Sequence, residues 1–367
     1  MFKINEFEIH NLKDFKKVIE QERSIIKEFK YKDDRIKHKI LTYNIYMYLC
    51  MFGTPEMLEY LEGYLFFANI KEFKNENCID SYLIAAGYGQ LEIMKYLEKT
   101  HNWQLNVRDN NGFDAYLSAS FNGQLEVMKY LEKEHNWDIH VKNNNGHDAY
   151  LCASFGELDI MKYLEKEHNW SPHVKDNNGH DAYLCASYNG CLEIMKYLEK
   201  EHNQSVNVKD NDGYDAYLLA SYNGYLEIMK YLEKEHNWNI YVKNIYQIDA
   251  YLCASSGGQL EVIKYLEKEH NWDIYVKNIY ECDAYLLASS SGKLEVMKYL
   301  EKEHNWDIHI KDIDGNDAYL CASMNGCLEI MEYLKKEHNW DIYVRNNYGC
   351  DAYLLASSND YTFFTEK

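Results

Sequence analysis

The tetrapeptide Asp-Ala-Tyr-Leu begins at Asp114, Asp148, Asp181, Asp215, Asp249, Asp283, Asp317 and Asp351, and a variant copy, Asp80-Ser81-Tyr82-Leu83, precedes them. Every step between full copies is 34 residues, except for 33 between Asp148 and Asp181. A unit of that size cannot bury its apolar face alone, so it must stack on copies of itself. The period therefore predicts an all-α solenoid with one repeated face, whose work is to hold something.

The unit from Asp114 to Gly146 predicts its own anatomy. Asp114 is placed to cap a short helix, accepting bonds from its first free backbone N–H groups. Asn122-Gly123 ends that helix, because glycine reaches left-handed geometry without strain. A second helix starts near Leu125, with Leu125, Met128 and Leu131 as its apolar stripe and Glu126, Lys129, Glu132 and Lys133 expected to face solvent. It stops near His135-Asn136-Trp137; Ile139 and Val141 then alternate as a short arm, and Asn143-Asn144-Asn145-Gly146 makes a tight turn. The unit reads as helix, turn, helix, projecting hairpin.

That plan resembles the ankyrin repeat, a β-turn followed by two antiparallel helices. The likeness is carried by tips such as Asp109-Asn110-Asn111-Gly112, the Asn122-Gly123 turn and the second helix Leu125 to Leu131, and it extends over about residues 80–359. The family's Thr-Pro-Leu-His start is replaced by Asp-Ala-Tyr-Leu, so Asp capping and Tyr packing are expected to take over from the family's Thr–His pairing. A 34-residue period also suits tetratricopeptide repeats, which lack a hairpin and would not need the recurring turn. The expected organisation is an N-terminal helical cap at 1–43, a degenerate first repeat at 44–79, ankyrin-like repeats at 80–359 and a tail at 360–367. Residues 11–40 hold ten Lys/Arg against six Asp/Glu, unlike the acidic remainder; they read as a cap for the first open face, with a separate docking helix as the rival.

Composition limits the partners. Hydrophobic residues make up 46% of the chain, enough for a core, and the net charge of −20 is spread along the repeats. Such a surface repels phosphate backbones, so no nucleic acid is expected. No run approaches the ~20 apolar residues of a membrane helix, so no membrane partner is expected. The ten cysteines form no disulfide framework: Cys152, Cys185, Cys253 and Cys321 share a register filled elsewhere by Ser118 and Leu219. Reduced thiols and an N-terminus without the apolar core of a signal peptide point to the cytoplasm; a monomer is expected.

Candidate chemistry is sparse. All seven tryptophans lie in His-Asn-Trp triplets, and their uniformity favours architecture over an aromatic binding track. His140 with His147, and His173 with His180, flank two adjacent tips, but no Cys or carboxylate spacing supports a metal there. Neither catalytic residues nor a cofactor are expected; the recurring Asp and Glu/Lys positions are periodic, hence structural.

Differences between repeats locate the expected partner site. The position before each Asp varies most: Phe113, His147, His180, Tyr214, Ile248, Cys282, Asn316 and Cys350. Positions that vary inside a constant frame are expected to be free of frame duties, and the ankyrin resemblance implies that such tip residues contact partners. Two tips depart further, Asn244-Ile245-Tyr246-Gln247-Ile248 and Asn278-Ile279-Tyr280-Glu281-Cys282, which lose the glycine and gain apolar residues. Ile245, Tyr246, Ile279 and Tyr280 either form a shared apolar patch or pack on each other. The region 148–207, with Phe155-Gly156-Glu157, Ser171-Pro172 and Gln204 in place of Trp, reads as a bend or as drift. The expected function is a non-enzymatic scaffold that binds a protein through hairpin tips and the first-helix face, a host protein if the chain is viral or parasitic. A self-assembling structural component is the alternative.

Overall fold

The computed structural model describes the backbone of residues 2–4 and 7–9, and residues 13, 15–17, 45–63 and 79–358. It divides into two compact units, Met1–Asn177 and Asn178–Lys367. Most of the cap expected at 11–43, residues 64–78 of the degenerate first repeat and the tail beyond 358 lie outside the described residues.

Residues 79–358 alternate a short inner helix with a longer outer helix, as the period predicts. In the first unit the pairs are Ser81–Gly87 with Leu91–His101, Ala115–Phe121 with Leu125–His135, and Ala149–Ala153 with Leu158–His168. The second unit runs from Ala182–Tyr188 with Leu192–His202 to Ala318–Met324 with Leu328–Glu337, and closes on the inner helix Ala352–Ser358. Within each unit every inner helix packs on the next inner helix. Residues 45–52 and the helix Pro55–Glu62 form an earlier pair.

The cap chemistry explains the helix boundaries. Asp114 Oδ1 accepts the Leu117 N–H at 3.0 Å, and the same bond recurs from Asp148 to Leu151 and from Asp283 to Leu286. Outer helices end on an asparagine in the left-handed region, such as Asn136 at φ 47°, after which the Trp137 N–H returns to the Leu131 carbonyl. Asparagine tolerates that conformation better than other residues with a Cβ, which is why His-Asn stops the helix.

Inner helices are buried on nearly all sides: Ala115, Tyr116, Leu117, Ala119 and Ser120 are all covered. Outer helices bury one stripe, Val127, Met128 and Leu131 in the second pair. Full burial of such side chains stabilises by about 1.5–3 kcal/mol each.

Two features differ from expectation. Residues 2–4 and 7–9, expected within a helical cap, form an antiparallel pair, β1 (Phe2–Ile4) and β2 (Phe7–Ile9), in the register Phe2↔Ile9 and Ile4↔Phe7. Apolar and polar residues alternate there with period two, the strand pattern, on either side of Asn5-Glu6. The projecting loops are also not strand-built among the described residues. Each is closed at its tip, Asn143 N–H to His147 O at 2.9 Å and Gly146 N–H to Asn143 O at 3.0 Å, and bonds sideways to the preceding tip, Asn144 N–H to Asn111 O at 2.9 Å.

Candidate functional site

A polar network beneath the loops was illegible in the sequence. Tyr82 Oη donates to Glu98 Oε1 at 2.7 Å, while Tyr130 Oη of the next repeat donates to Glu98 Oε2 at 2.7 Å. His135 Nε2 lies 3.2 Å from the same oxygen. The clamp recurs at Glu132 with Tyr116, Tyr163 and His168. In the second unit it recurs at Glu199, Glu233, Glu267 and Glu301. Glu132, expected to face solvent, is therefore a misreading: its side chain is only 16% exposed. Glu126 and Lys133 do face solvent. This helix position stays glutamate until Lys335 replaces it in Leu328–Glu337, but its flanking leucine and lysine are just as constant, so nothing in the sequence singles it out. Burial, then the hydrogen bond to glutamate, pushes the Tyr82 and Tyr116 hydroxyls well above their ordinary range, so they stay protonated donors.

The tryptophans are part of the same frame. Trp306 Nε1 donates to Asp283 Oδ2 at 3.1 Å, and Gln204 keeps this bond to Asp181 Oδ2 at 2.9 Å where tryptophan is missing. Loop residues cover the indoles by stacking: His140 on Trp170, Tyr241 on Trp272, Tyr275 on Trp306 and His309 on Trp340, with centroids 4.8–5.1 Å apart. Trp137 and Trp238, preceded by Asn106 and Asn207 in that register, are only half-buried. At Trp238 the indole N–H and Asp215 Oδ2 both lack a hydrogen-bond partner. Burial accordingly pushes the Asp215 carboxyl up to about 6, against the opposing backbone bond from Leu218.

The variable position before each Asp is not free of frame duties. It reaches the tip acid or amide of the following repeat: His147 Nε2 to Asp176 Oδ2 at 3.1 Å, His180 Nε2 to Asp210 Oδ2 at 3.1 Å, and Asn316 Oδ1 accepting from Asn346 Nδ2 at 3.0 Å. Phe113 packs edge-on to Phe121 and lines a cavity of about 330 Å³ with Ile79, Leu83 and Ser118. Ile248, Cys282 and Cys350 are half-buried. Variation at this position is partly paired variation with the next tip, which comparison of single positions could not reveal. His140 and His147, weighed as metal ligands, are instead placed on Trp170 and Asp176.

The tips themselves divide into two kinds. In the polar kind, Asn144 Nδ2 donates to Asn110 O at 2.9 Å and Asn177 Nδ2 to Asn144 O at 3.0 Å. Glycine is required there: Gly146 has φ 85°, and a Cβ on it would lie 2.5 Å from Asn177 Oδ1. In the apolar kind, Ile245, Ile279 and Ile313 take the asparagine position, and Gln247 and Glu281 take the glycine position at φ 60° and 59°. The backbone is unchanged, with Gln247 N–H on Asn244 O at 3.1 Å and Ile279 N–H on Tyr246 O at 3.0 Å.

These substitutions create an exposed apolar surface in the second unit. Ile245, Ile279 and Ile313 are 57%, 46% and 58% exposed, so the isoleucines do not bury one another. Tyr246 and Tyr280 stack at 6.3 Å with 27° between their planes, and Tyr246 Oη donates to Asp212 Oδ1 at 3.2 Å. Ile313 was missed although it shares the register of Ile245 and Ile279; its tip retains Gly315 and reads as ordinary. Also missed was a set of exposed aromatics at the ends of inner helices: Tyr88 and Phe121 in the first unit, Tyr188 and Tyr222 in the second.

Stacked helix pairs joined by turn-tipped loops define a helical repeat protein, and a family model of ankyrin repeats in three copies matches residues 149–244 and 250–347. The chain belongs to the ankyrin repeat family, whose repeats are generally modules of protein–protein recognition. No curated protein matches it. Among the described residues, no helix is long and apolar enough to cross a membrane.

Proposed function

We propose that this protein is a non-catalytic recognition scaffold that binds a protein partner through its loop tips and inner-helix face. The observation that carries the reading is the run of three consecutive tips, Ile245, Ile279 and Ile313, each about half exposed beside the stacked Tyr246 and Tyr280. Exposed isoleucine gives a loop no stability, whereas contiguous apolar and aromatic side chains on a preorganised frame make an interface hot spot. A frame clamped from repeat to repeat lowers the ordering cost of association. Phe113, His147, His180, Tyr214, Ile248, Cys282, Asn316 and Cys350 then act at the margin, shaping the tips from beneath. The protein works as a cytoplasmic monomer, and in a virus or intracellular parasite its partner is a host protein.

The test is affinity capture from lysate of the native cell with wild type and the Tyr246→Asp/Tyr280→Asp variant, identifying bound proteins by mass spectrometry. The expected result is a protein retained by wild type and lost by the folded variant. Capture of nothing beyond more copies of this chain would contradict recognition and favour self-assembly.

A further inference from the structure

The third residue of each tip runs Asn111, Asn145, Asn178, Asp212, Tyr246, Tyr280, Asp314, Tyr348 along the chain. In the second unit this places two stacked tyrosines between two aspartates on consecutive tips. We propose that the row Asp212, Tyr246, Tyr280, Asp314 is a subsite for an arginine side chain on the partner, with the neighbouring isoleucines taking the apolar residues beside it. The proposal rests on the recognition reading above and names the chemistry of the partner.

The geometry suits a guanidinium. Tyr246 is anchored through its hydroxyl to Asp212, and Tyr280 stacks on it while remaining 49% exposed. One tip further on, Asp314 is held in place by the Tyr348 hydroxyl, which donates to Oδ1 at 3.0 Å, and by its own N–H on Asp312 Oδ1 at 3.0 Å. An aromatic face beside a positioned carboxylate matches arginine, whose planar, weakly hydrated cation stacks on rings and forks onto carboxylates.

Charge favours the same occupant. The chain carries −20, and Asp210 and Asp312 lie behind the row. The nearby lysines act elsewhere: Lys243, Lys277 and Lys311 offset the buried cap carboxylates Asp249, Asp283 and Asp317, and Lys277 also pairs with Glu281 at 3.4 Å. A third observation is independent of charge. Gln247 and Glu281 hold left-handed backbone that glycine occupies in the other tips, and such strain collects where function requires a particular surface. Asn111, Asn145 and Asn178 offer neither ring nor charge in this register.

The test uses the full chain and a fluorescein-labelled octapeptide alternating arginine and leucine, with its lysine and citrulline analogues, read by fluorescence anisotropy at about 0.15 M salt. The arginine peptide should bind tightest, the lysine analogue about fivefold more weakly, and the citrulline analogue not measurably. Tyr280→Leu and Asp314→Asn should each weaken arginine-peptide binding about tenfold, whereas Tyr280→Phe and Asn111→Leu should leave it unchanged. All four substitutions are at exposed or half-buried loop positions, and circular dichroism checks that each variant is folded. Equal binding by every variant, or equal binding of the lysine and arginine peptides, would mean general attraction to an acidic protein and overturn the subsite. Absence of binding by the arginine peptide would also overturn it. The recognition reading is separable, because it is tested by capture from lysate and not by the arginine peptides.

Discussion

The polar tips around Asn144 and Asn177 and the apolar tips around Ile245 and Ile279 share one backbone but not one contact logic. In the first group, a side-chain amide bonds the preceding tip and occupies the space a Cβ would need, so glycine is obligatory at Gly146. In the second, isoleucine makes no such bond, and the constraint on its neighbour relaxes: even Gly213, which precedes Ile245, would place a Cβ no closer than 3.2 Å to it. Loss of glycine at Gln247 and Glu281 is thus coupled to asparagine-to-isoleucine changes at Ile279 and Ile313. What distinguishes the regions is spare surface. The polar tips spend their side chains on each other, and the apolar tips turn theirs outward.

That contrast can be broken most directly at Gly146. Gly146→Ala should cost about 2–3 kcal/mol, combining the left-handed penalty with the clash against Asn177, as measured by urea unfolding. Adding Asn177→Ile should recover the clash part and leave about 1 kcal/mol of backbone strain. If the double variant is no more stable than the single one, the coupling between glycine and the next asparagine is wrong.

A second difference lies below the tips, at Asp215, whose Oδ2 lacks the indole bond that Asp283 receives from Trp306. The folded carboxyl is pushed up to about 6, above the unfolded value of about 3.9. Between those values the unfolded chain ionises first, so the Asp215 contribution to stability falls as pH rises through that window. The loss at neutral pH is on the order of 3 kcal/mol. Asp215→Asn should flatten the stability profile between about pH 4 and 6. A slope unchanged from wild type would show that the buried carboxyl is not the titrating group.

The glutamate clamp is common to both regions and serves as the control. Glu132→Gln and Glu233→Gln each leave one of two tyrosine hydroxyls facing an amide N–H, at a cost of about 1–2 kcal/mol. The two costs should agree within about 0.5 kcal/mol; a wide gap would mean that the frame, and not only the tips, differs between the units. The smallest effect is expected at Gln247→Gly, which relieves left-handed strain without a clash and should stabilise by about 0.5–1 kcal/mol.

The fold was legible because its signals are local. Asp at each helix start, Asn-Gly between helices and Asn at the outer-helix end each determine backbone geometry within a few residues, and all three are seen in the caps of Ala115–Phe121 and Leu125–His135. The clamp was not legible, because Glu98 is satisfied by Tyr82, 16 residues before it, and Tyr130, 32 after it. A charged residue on an outer helix reads as solvent-facing until such distant donors are known. The candidate site was legible in part. Ile245, Tyr246, Ile279 and Tyr280 stood out by breaking the turn pattern, while Ile313 kept its glycine and escaped notice. His147, His180 and Asn316 stood out by varying, but their bonds to the next tip appear only when repeats are compared in pairs.

The division between frame tips and binding tips is tested most directly by placing one aspartate at a time in the same register, at Asn110, Asn144, Asn177, Asn211, Ile245, Ile279 and Ile313. The amount of partner protein captured by each folded variant is the readout. Loss of capture at the three isoleucines, with retention at the four asparagines, is the predicted result. Uniform loss across all seven, or loss only at the asparagines, would contradict the assignment of the apolar tips as the recognition site.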